Sequence, residues 1–382
     1  MAAIYAAFFV SLGIYMPFIP VWLEERGFSL GDIALLGALP LIVRTFLSTT
    51  FTYLVDSRMP RRLALIALNG AAACVMALLY ISSGFQIVAA LVIVLALCSG
   101  ASLSLMDASA MRVVRVHGAD YGRMRLWGSL GYMAATILGG LAVSRFGNNS
   151  ALAVIALAHL GAMAIAALIV IPTRSDTPNP QVPAPADVAN WRMLARPAFL
   201  AVLLIVALMQ SSHAVYYTYS TINWQRLGYS TGIIGFLWAV GVIAEVLLFA
   251  WSKPLLTMTG PRRLLILAAG GAVLRWSLTA FDPPLPLLVF AQMLHCMSFG
   301  LVHLATISFI SRTTRPELVA TAQSLTSALT GAAMALATLA AGALFASFAA
   351  KAYLAMAALG VAAALGLGII RLVIPAVEES AP

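Results

Sequence analysis

Apolar residues run along this chain in about a dozen stretches of roughly 20 residues, divided by short polar connections. As α-helices, such stretches are long enough to cross a hydrocarbon core of about 30 Å. Backbone groups in lipid must be bonded within their own segment, and runs of this length mean helices rather than barrel strands. The spans this predicts are 2–23, 31–54, 62–82, 86–110, 124–145, 150–171, 198–222, 231–251, 262–281, 285–310, 321–346 and 352–373. The first has no basic region before it and no small-residue cleavage site ahead of Glu24, so it is expected as a retained span rather than a signal peptide. The pattern predicts an all-α membrane protein of twelve transmembrane helices.

Composition agrees. The chain is 62% hydrophobic and 9% charged, against the roughly 25% charged residues typical of soluble domains. Its net charge of +9 invites a nucleic-acid reading, but the distribution of that charge argues otherwise. With the spans above, one side collects sixteen of the 22 basic residues: Arg58, Arg61, Arg62, Arg112, Arg115, Arg123, Arg125, Arg174, Arg192, Arg196, Lys253, Arg262, Arg263, Arg312, Arg315 and Arg371. The other side has Arg26, Arg145, Arg226 and Lys351. Positive charge marks the cytoplasmic side. Both termini are therefore expected in the cytoplasm, the bilayer is expected to be a bacterial-type inner membrane, and no nucleic-acid partner is expected. Cys74, Cys98 and Cys296 lie in apolar runs without metal-ligand spacing. HExxH, GxSxG, Walker and dinucleotide patterns are missing too. The expectation is no enzyme, no metal and no cofactor.

The longest polar connection, 173–197, carries Pro178, Pro180, Pro183 and Pro185 and should be an extended linker. It divides six spans, 1–172, from six more, 198–382. The halves repeat at an offset of 201: Gly27-Phe28-Ser29 matches Gly228-Tyr229-Ser230, and Met59-Pro60-Arg61-Arg62 matches Gly260-Pro261-Arg262-Arg263. Arg44 falls opposite Glu245 at the same offset.

Charged or titratable residues inside the spans carry the chemistry: Arg44, Asp107, Glu245, Arg275, His295 and His303. Such a charge costs about 2.5–3.5 kcal/mol or more unless paired or wet. Glu245, Arg275 and His295 bring three titratable or charged partners from three helices. A carboxylate away from water favours its protonated form, and a nearby arginine favours the charged one, so this group can load and release a proton. The alternative is a static ion pair that fixes helix packing. Asp107, with Arg125 at the cytoplasmic end of the next span, offers either a substrate contact or an interfacial pair reaching water. Arg44, about 14 residues into its span, either holds an anion or neutralises Asp107. Gln210, His213, Tyr217, Ser220 and Trp224 recur at increments of three and four, one face of a helix expected to line a cavity. His213 and Tyr217 are its substrate-contact candidates. His295 and His303 lie eight residues apart, about 80° around an α-helix, and need not share a site; His303 and His159 are expected to be structural.

Several motifs resemble the major facilitator superfamily, whose two halves are parallel six-helix repeats. Asp56-Ser57-Arg58-Met59-Pro60-Arg61-Arg62 resembles its loop between helices 2 and 3, with Thr52 and Pro60 at the usual glycine positions. Tyr121-Gly122-Arg123-Met124-Arg125-Leu126-Trp127-Gly128 and Ser211-Ser212-His213-Ala214-Val215-Tyr216-Tyr217 resemble helices 5 and 7 of the lactose permease and nucleoside–proton symporter group, most of all its phenylpropionate permease branch. The resemblance implies an Asp107–Arg125 pair that binds substrate, and a proton-coupling group of Glu245, Arg275 and His295. Ser298 stands where that group has a glutamate, so proton carriage must move to Glu245 or a histidine. The function implied is a proton symporter importing a small organic solute such as an aromatic carboxylate. A sugar or nucleoside symporter and a drug efflux antiporter are the rivals. The partners implied are the small solute, protons and lipid, with the protein a monomer.

Overall fold

A computed structural model describes residues 1–169 and 193–373. Most of the expected linker, and residues 374–382, lie outside those described. Among the described residues the structure is helical, without strands. Ahead of the linker come α1 (Ala2–Glu25), α2 (Leu30–Phe46), α3 (Ser48–Arg58), α4 (Arg61–Ile81), α5 (Phe85–His117), α6 (Tyr121–Phe146) and α7 (Asn149–Leu168). After it come α8 (Pro197–Ser211), α9 (Ala214–Arg226), α10 (Thr231–Ala250), α11 (Ser252–Met258), α12 (Pro261–Thr279), α13 (Leu285–Met293), α14 (Val302–Thr313), α15 (Val319–Phe348) and α16 (Tyr353–Val373).

Among the described residues nine stretches are long and apolar enough to cross a bilayer, and the pair α2–α3, bent by 58°, makes ten. Twelve spans are consistent with this. One continuous stretch, 316–370, holds both α15 and α16, and α12 carries the charges of Arg262, Arg263 and Arg275.

Three expected spans fold in two pieces. The span 31–54 bends at Leu47. The span 285–310 passes through a π-helical segment, Cys296–Leu301. The span 198–222 breaks at Ser212–His213, where side chains turn back on the preceding helix: Ser211 Oγ donates to Ala207 O (2.7 Å), Ser212 Oγ to Met209 O (2.6 Å) and His213 Nδ1 to Gln210 O (3.1 Å). Polar side chains that take helix carbonyls in this way compete with the backbone ladder and bend the helix.

The sequence repeat is also a repeat of local structure. Gly27 and Gly228 both sit at φ +85°, and their N–H groups reach Glu24 O and Gln225 O, each at 2.9 Å. The following N–H groups, of Phe28 and Tyr229, return to Leu23 O and Trp224 O. Both are helix stops that need the left-handed conformation glycine adopts freely. Ser29 and Ser230 then start the next helices, accepting from the N–H groups of Asp32 (3.1 Å) and Ile233 (3.4 Å). At positions one residue out of register in the repeat, Arg62 donates to Ala167 O at the end of α7 and Arg262 to Leu367 O in the last two turns of α16.

The described residues form two compact units, one drawn from 1–180 with 217–239, the other from 181–216 with 240–382. Although it follows the linker, the hairpin 217–239 packs within the first unit. Tyr219 OH donates to Leu30 O (2.5 Å), Arg226 pairs with Glu24 (2.6 Å), and Thr231 Oγ1 donates to Gly140 O (2.8 Å). Gly140 and Gly235 let α6 and α10 touch backbone to backbone, since a Cβ on either would strike the other helix.

Candidate functional site

In the first unit, close packing of α1 on α6 sets the geometry. A Cβ on Gly131 would stand 2.5 Å from Ala6 O, and one on Gly13 would stand 2.6 Å from Tyr132 O. Gly128 leaves space for the Phe9 ring. Tyr5 and Phe9 are thereby laid beside Arg125, whose guanidinium lies 4.2 Å from the Phe9 centroid and 5.4 Å from that of Tyr5. Asp107, from α5, accepts hydrogen bonds from Tyr5 OH (2.5 Å) and Tyr121 OH (3.1 Å) on the same oxygen.

The Asp107–Arg125 pair implied by the resemblance is not formed. Two phenols satisfy the acid, while the arginine rests on ring faces and makes no ion pair or hydrogen bond among the described residues. Arg44 is exposed in the last turn of α2, just before the bend, and it too has no such partner there. Tyr217 lies in the hairpin, stacked on Trp238 (6.2 Å, 25°), and the Trp238 indole donates to Thr221 Oγ1 (3.2 Å).

In the second unit the structure brings Glu245, Arg275 and His295 together, and glycines one turn away explain how. Gly241 of α10, one turn before Glu245, lies against His295; Gly271 of α12, one turn before Arg275, lies 2.5 Å (ideal Cβ) from Met297 Cβ. Gly300 opens room for Leu248 on the same side of α10. Both helices thus close on the π segment, and their charged residues follow.

Arg275 is fully buried. Its Nη1 donates to His295 Nδ1 (2.9 Å) and Ser298 Oγ (3.0 Å), and its Nη2 donates to Gln292 Oε1 (3.1 Å). A guanidinium can only donate, so His295 accepts at Nδ1 and keeps its own proton on Nε2. That nitrogen faces Glu245 Oε2 at 3.5 Å. One neutral imidazole therefore links the arginine to the acid. Tyr216 and Trp276 cover the guanidinium at 4.6 and 4.3 Å, a contact that offsets part of the cost of burying the charge. Trp276 is itself fixed by a bond to Ser212 Oγ (3.0 Å) and by stacking on Tyr353 (5.8 Å).

Two placements differ from expectation. His213 does not line a cavity: its side chain is enclosed in this same group, with Nε2 3.2 Å from Ser298 Oγ. His303, expected to be structural and off-axis, falls in line with His295. Rings of His295, Phe299 and His303 stack in series at 5.3 and 6.3 Å, nearly parallel. A π turn closes i→i+5 and holds more residues than an α turn, so residues four apart come into register. Sequence reasoning also missed Tyr5, Gln292 and Trp276, and it places Tyr216 only within the helix 7 motif. The aromatic-rich segment 216–224 was the available signal for Tyr216; nothing in the sequence links Tyr5 to Asp107, 102 residues away.

Comparison with known proteins agrees with this architecture. Residues 1–355 match the model of the MFS_1 like family. The chain is 30% identical over 351 residues to the "Probable 3-phenylpropionic acid transporter" of Escherichia coli (strain K12), covering 89% of each chain. It is 30% identical over 335 residues to the "Maltose permease" of Geobacillus stearothermophilus, covering 85% of this chain and 82% of the permease. The crystal structure of the nucleoside transporter NupG superposes with a TM-score of 0.82 over 97% of both chains, at 14% identity, a likeness of fold alone. The chain belongs to the MFS_1 like family: it is a multi-pass membrane transporter of the major facilitator fold, and not an enzyme.

Proposed function

We propose that this MFS_1-like transporter imports a small aromatic carboxylate of the phenylpropionate kind together with a proton. In this reading the first unit binds the anion and the second holds the proton. The observation that supports the substrate class is Arg125, whose guanidinium is flanked by Phe9 and Tyr5 and is not neutralised by Asp107. An aryl carboxylate needs one fixed positive charge with donors for its oxygens and flat apolar faces for its ring. Arg44 is a second cation for the same anion, and Tyr217 a further ring. The name carried by the Escherichia coli relative supports the same substrate class.

Glu245 is the proton carrier in this reading. With its carboxyl protonated, it no longer attracts the Nε2–H of His295, and the hold of Arg275 on that imidazole changes with it. The protein works as a monomer in the cell inner membrane with both termini in the cytoplasm. Its halves, 1–172 and 198–382, are joined by the cytoplasmic linker 173–197.

Purified protein in liposomes under an imposed inward proton gradient tests this. Labelled 3-phenylpropionate should accumulate above equilibrium, with maltose and uridine taken up at least tenfold more slowly. In Glu245→Gln, accumulation should vanish while exchange of label at equal pH persists. Gradient-independent uptake, or preferential uptake of maltose or uridine, would overturn the reading.

A further inference from the structure

We infer that His213 is a second proton-accepting site of the coupling group, linked to Arg275 by the Ser298 hydroxyl. The inference rests on the proton-coupling reading and extends it to residues outside the Glu245–His295–Arg275 set.

The hydrogen-bond directions define one state of this site and leave one alternative. His213 Nδ1 faces the carbonyl of Gln210 (3.1 Å). A carbonyl can only accept, so that nitrogen carries a proton, and Nε2 is the position left to gain one. Ser298 Oγ receives Arg275 Nη1 (3.0 Å) and has a single proton of its own to place. Two acceptors lie within its reach: His213 Nε2 at 3.2 Å and His295 O at 3.5 Å. With His213 neutral, the hydroxyl donates to Nε2. When a proton binds there, Nε2–H donates to Ser298 Oγ and the hydroxyl turns to His295 O. The N–H bond that forms takes up the transported proton, the O–H bond of the hydronium ion that delivers it breaks, and the Ser298 hydroxyl keeps an acceptor.

The surroundings tie this switch to Arg275. Among the described residues, groups facing His213 include Arg275 and the edge of Trp276 from α12, with His295, Ser298 and Phe299 from the neighbouring span. Arg275 is the one fixed charge among them, and it repels an imidazolium. His213 is therefore filled in the state where Arg275 has withdrawn from Ser298, and emptied when Arg275 returns. A group whose occupancy follows the arginine's position is a coupling element, and it sits where the resemblance places Ser298 in lieu of an acid.

The proton-to-solute ratio, taken from labelled solute uptake and the accompanying alkalinisation outside the proteoliposomes, tests the assignment. The solute is whichever of 3-phenylpropionate, maltose or uridine the wild type carries fastest. His213→Gln keeps an amide toward Ser298 but cannot titrate there, and the ratio is expected to fall from two to one. Ser298→Ala should give the same fall and Ser298→Thr should restore two. Size-exclusion profiles and melting curves identify which variants are folded, and Ser298→Ala with its threonine rescue serves if His213→Gln does not fold. An unchanged ratio in folded His213→Gln or Ser298→Ala, with accumulation lost in Glu245→Gln, overturns this inference alone. Full accumulation in Glu245→Gln, or a wild type carrying none of the three solutes, removes the coupling reading and this inference with it.

Discussion

In the first unit the acid and the arginine are kept apart: Asp107 accepts two phenol hydroxyls, and Arg125 lies on Phe9 and Tyr5. In the second, Glu245 and Arg275 are joined through the two nitrogens of His295. Hydrogen bonds from neutral donors satisfy a carboxylate without using a cation, so the positive charge in the first unit remains available to an incoming anion. A relay through one imidazole does the reverse. Whatever changes the charge at one end alters the hydrogen bond at the other. In the proposed function, similar residue types thus serve as a binding surface in one place and a linked set of protonation states in the other.

The comparison breaks most visibly at the arginines. Arg275→Met should abolish uphill uptake and lower the melting temperature of the detergent-solubilised protein by several degrees. It removes three buried hydrogen bonds from a charged donor, each worth about 1.5–3 kcal/mol. Arg125→Met should leave melting nearly unchanged and raise the KM for 3-phenylpropionate about 10- to 100-fold, the equivalent of one charge-assisted contact to substrate. Equal losses of stability in the two variants would show that Arg125 is as structural as Arg275.

A smaller effect is expected from Gly271→Val, which forces α12 away from Met297 and costs about 1–3 kcal/mol of overpacking. It should weaken coupling more than binding, and a rise in KM without loss of accumulation would contradict the positioning role of that glycine. The smallest belongs to Tyr121→Phe. Asp107 keeps the Tyr5 hydroxyl, so loss of one neutral bond, about 1 kcal/mol, should change KM less than about fivefold. A larger rise would mean that Tyr121 itself touches the solute.

Much of this could be read from the residues alone. Glu245, Arg275 and His295 stand out because charge inside an apolar run is costly, and the 201-residue offset carries over to two matching turns at Gly27 and Gly228. What the sequence withheld has a common physical origin. Helices hydrophobic on all sides carry little phase information, so a face must be inferred from ideal winding. That inference fails where Ser211, Ser212 and His213 bond back to the helix, and where Cys296–Leu301 widens it. Partners contributed by distant helices, such as Tyr5 for Asp107, leave no local trace.

The widened turn has one more consequence. The stretch Leu285–Thr313 has 29 residues, about 43 Å of helix at 1.5 Å per residue, well beyond the roughly 30 Å a bilayer core requires. Length is therefore in surplus here, whereas rotational register is not. Inserting one more residue between Cys296 and Leu301 would still leave a span that inserts, but a turn already widened cannot absorb it, and everything after it would turn by about 100°, carrying His303 away from the ring stack. This span should tolerate conservative replacement along most of its length and almost no gain in residue number, so that an insertion is far more damaging than its size suggests.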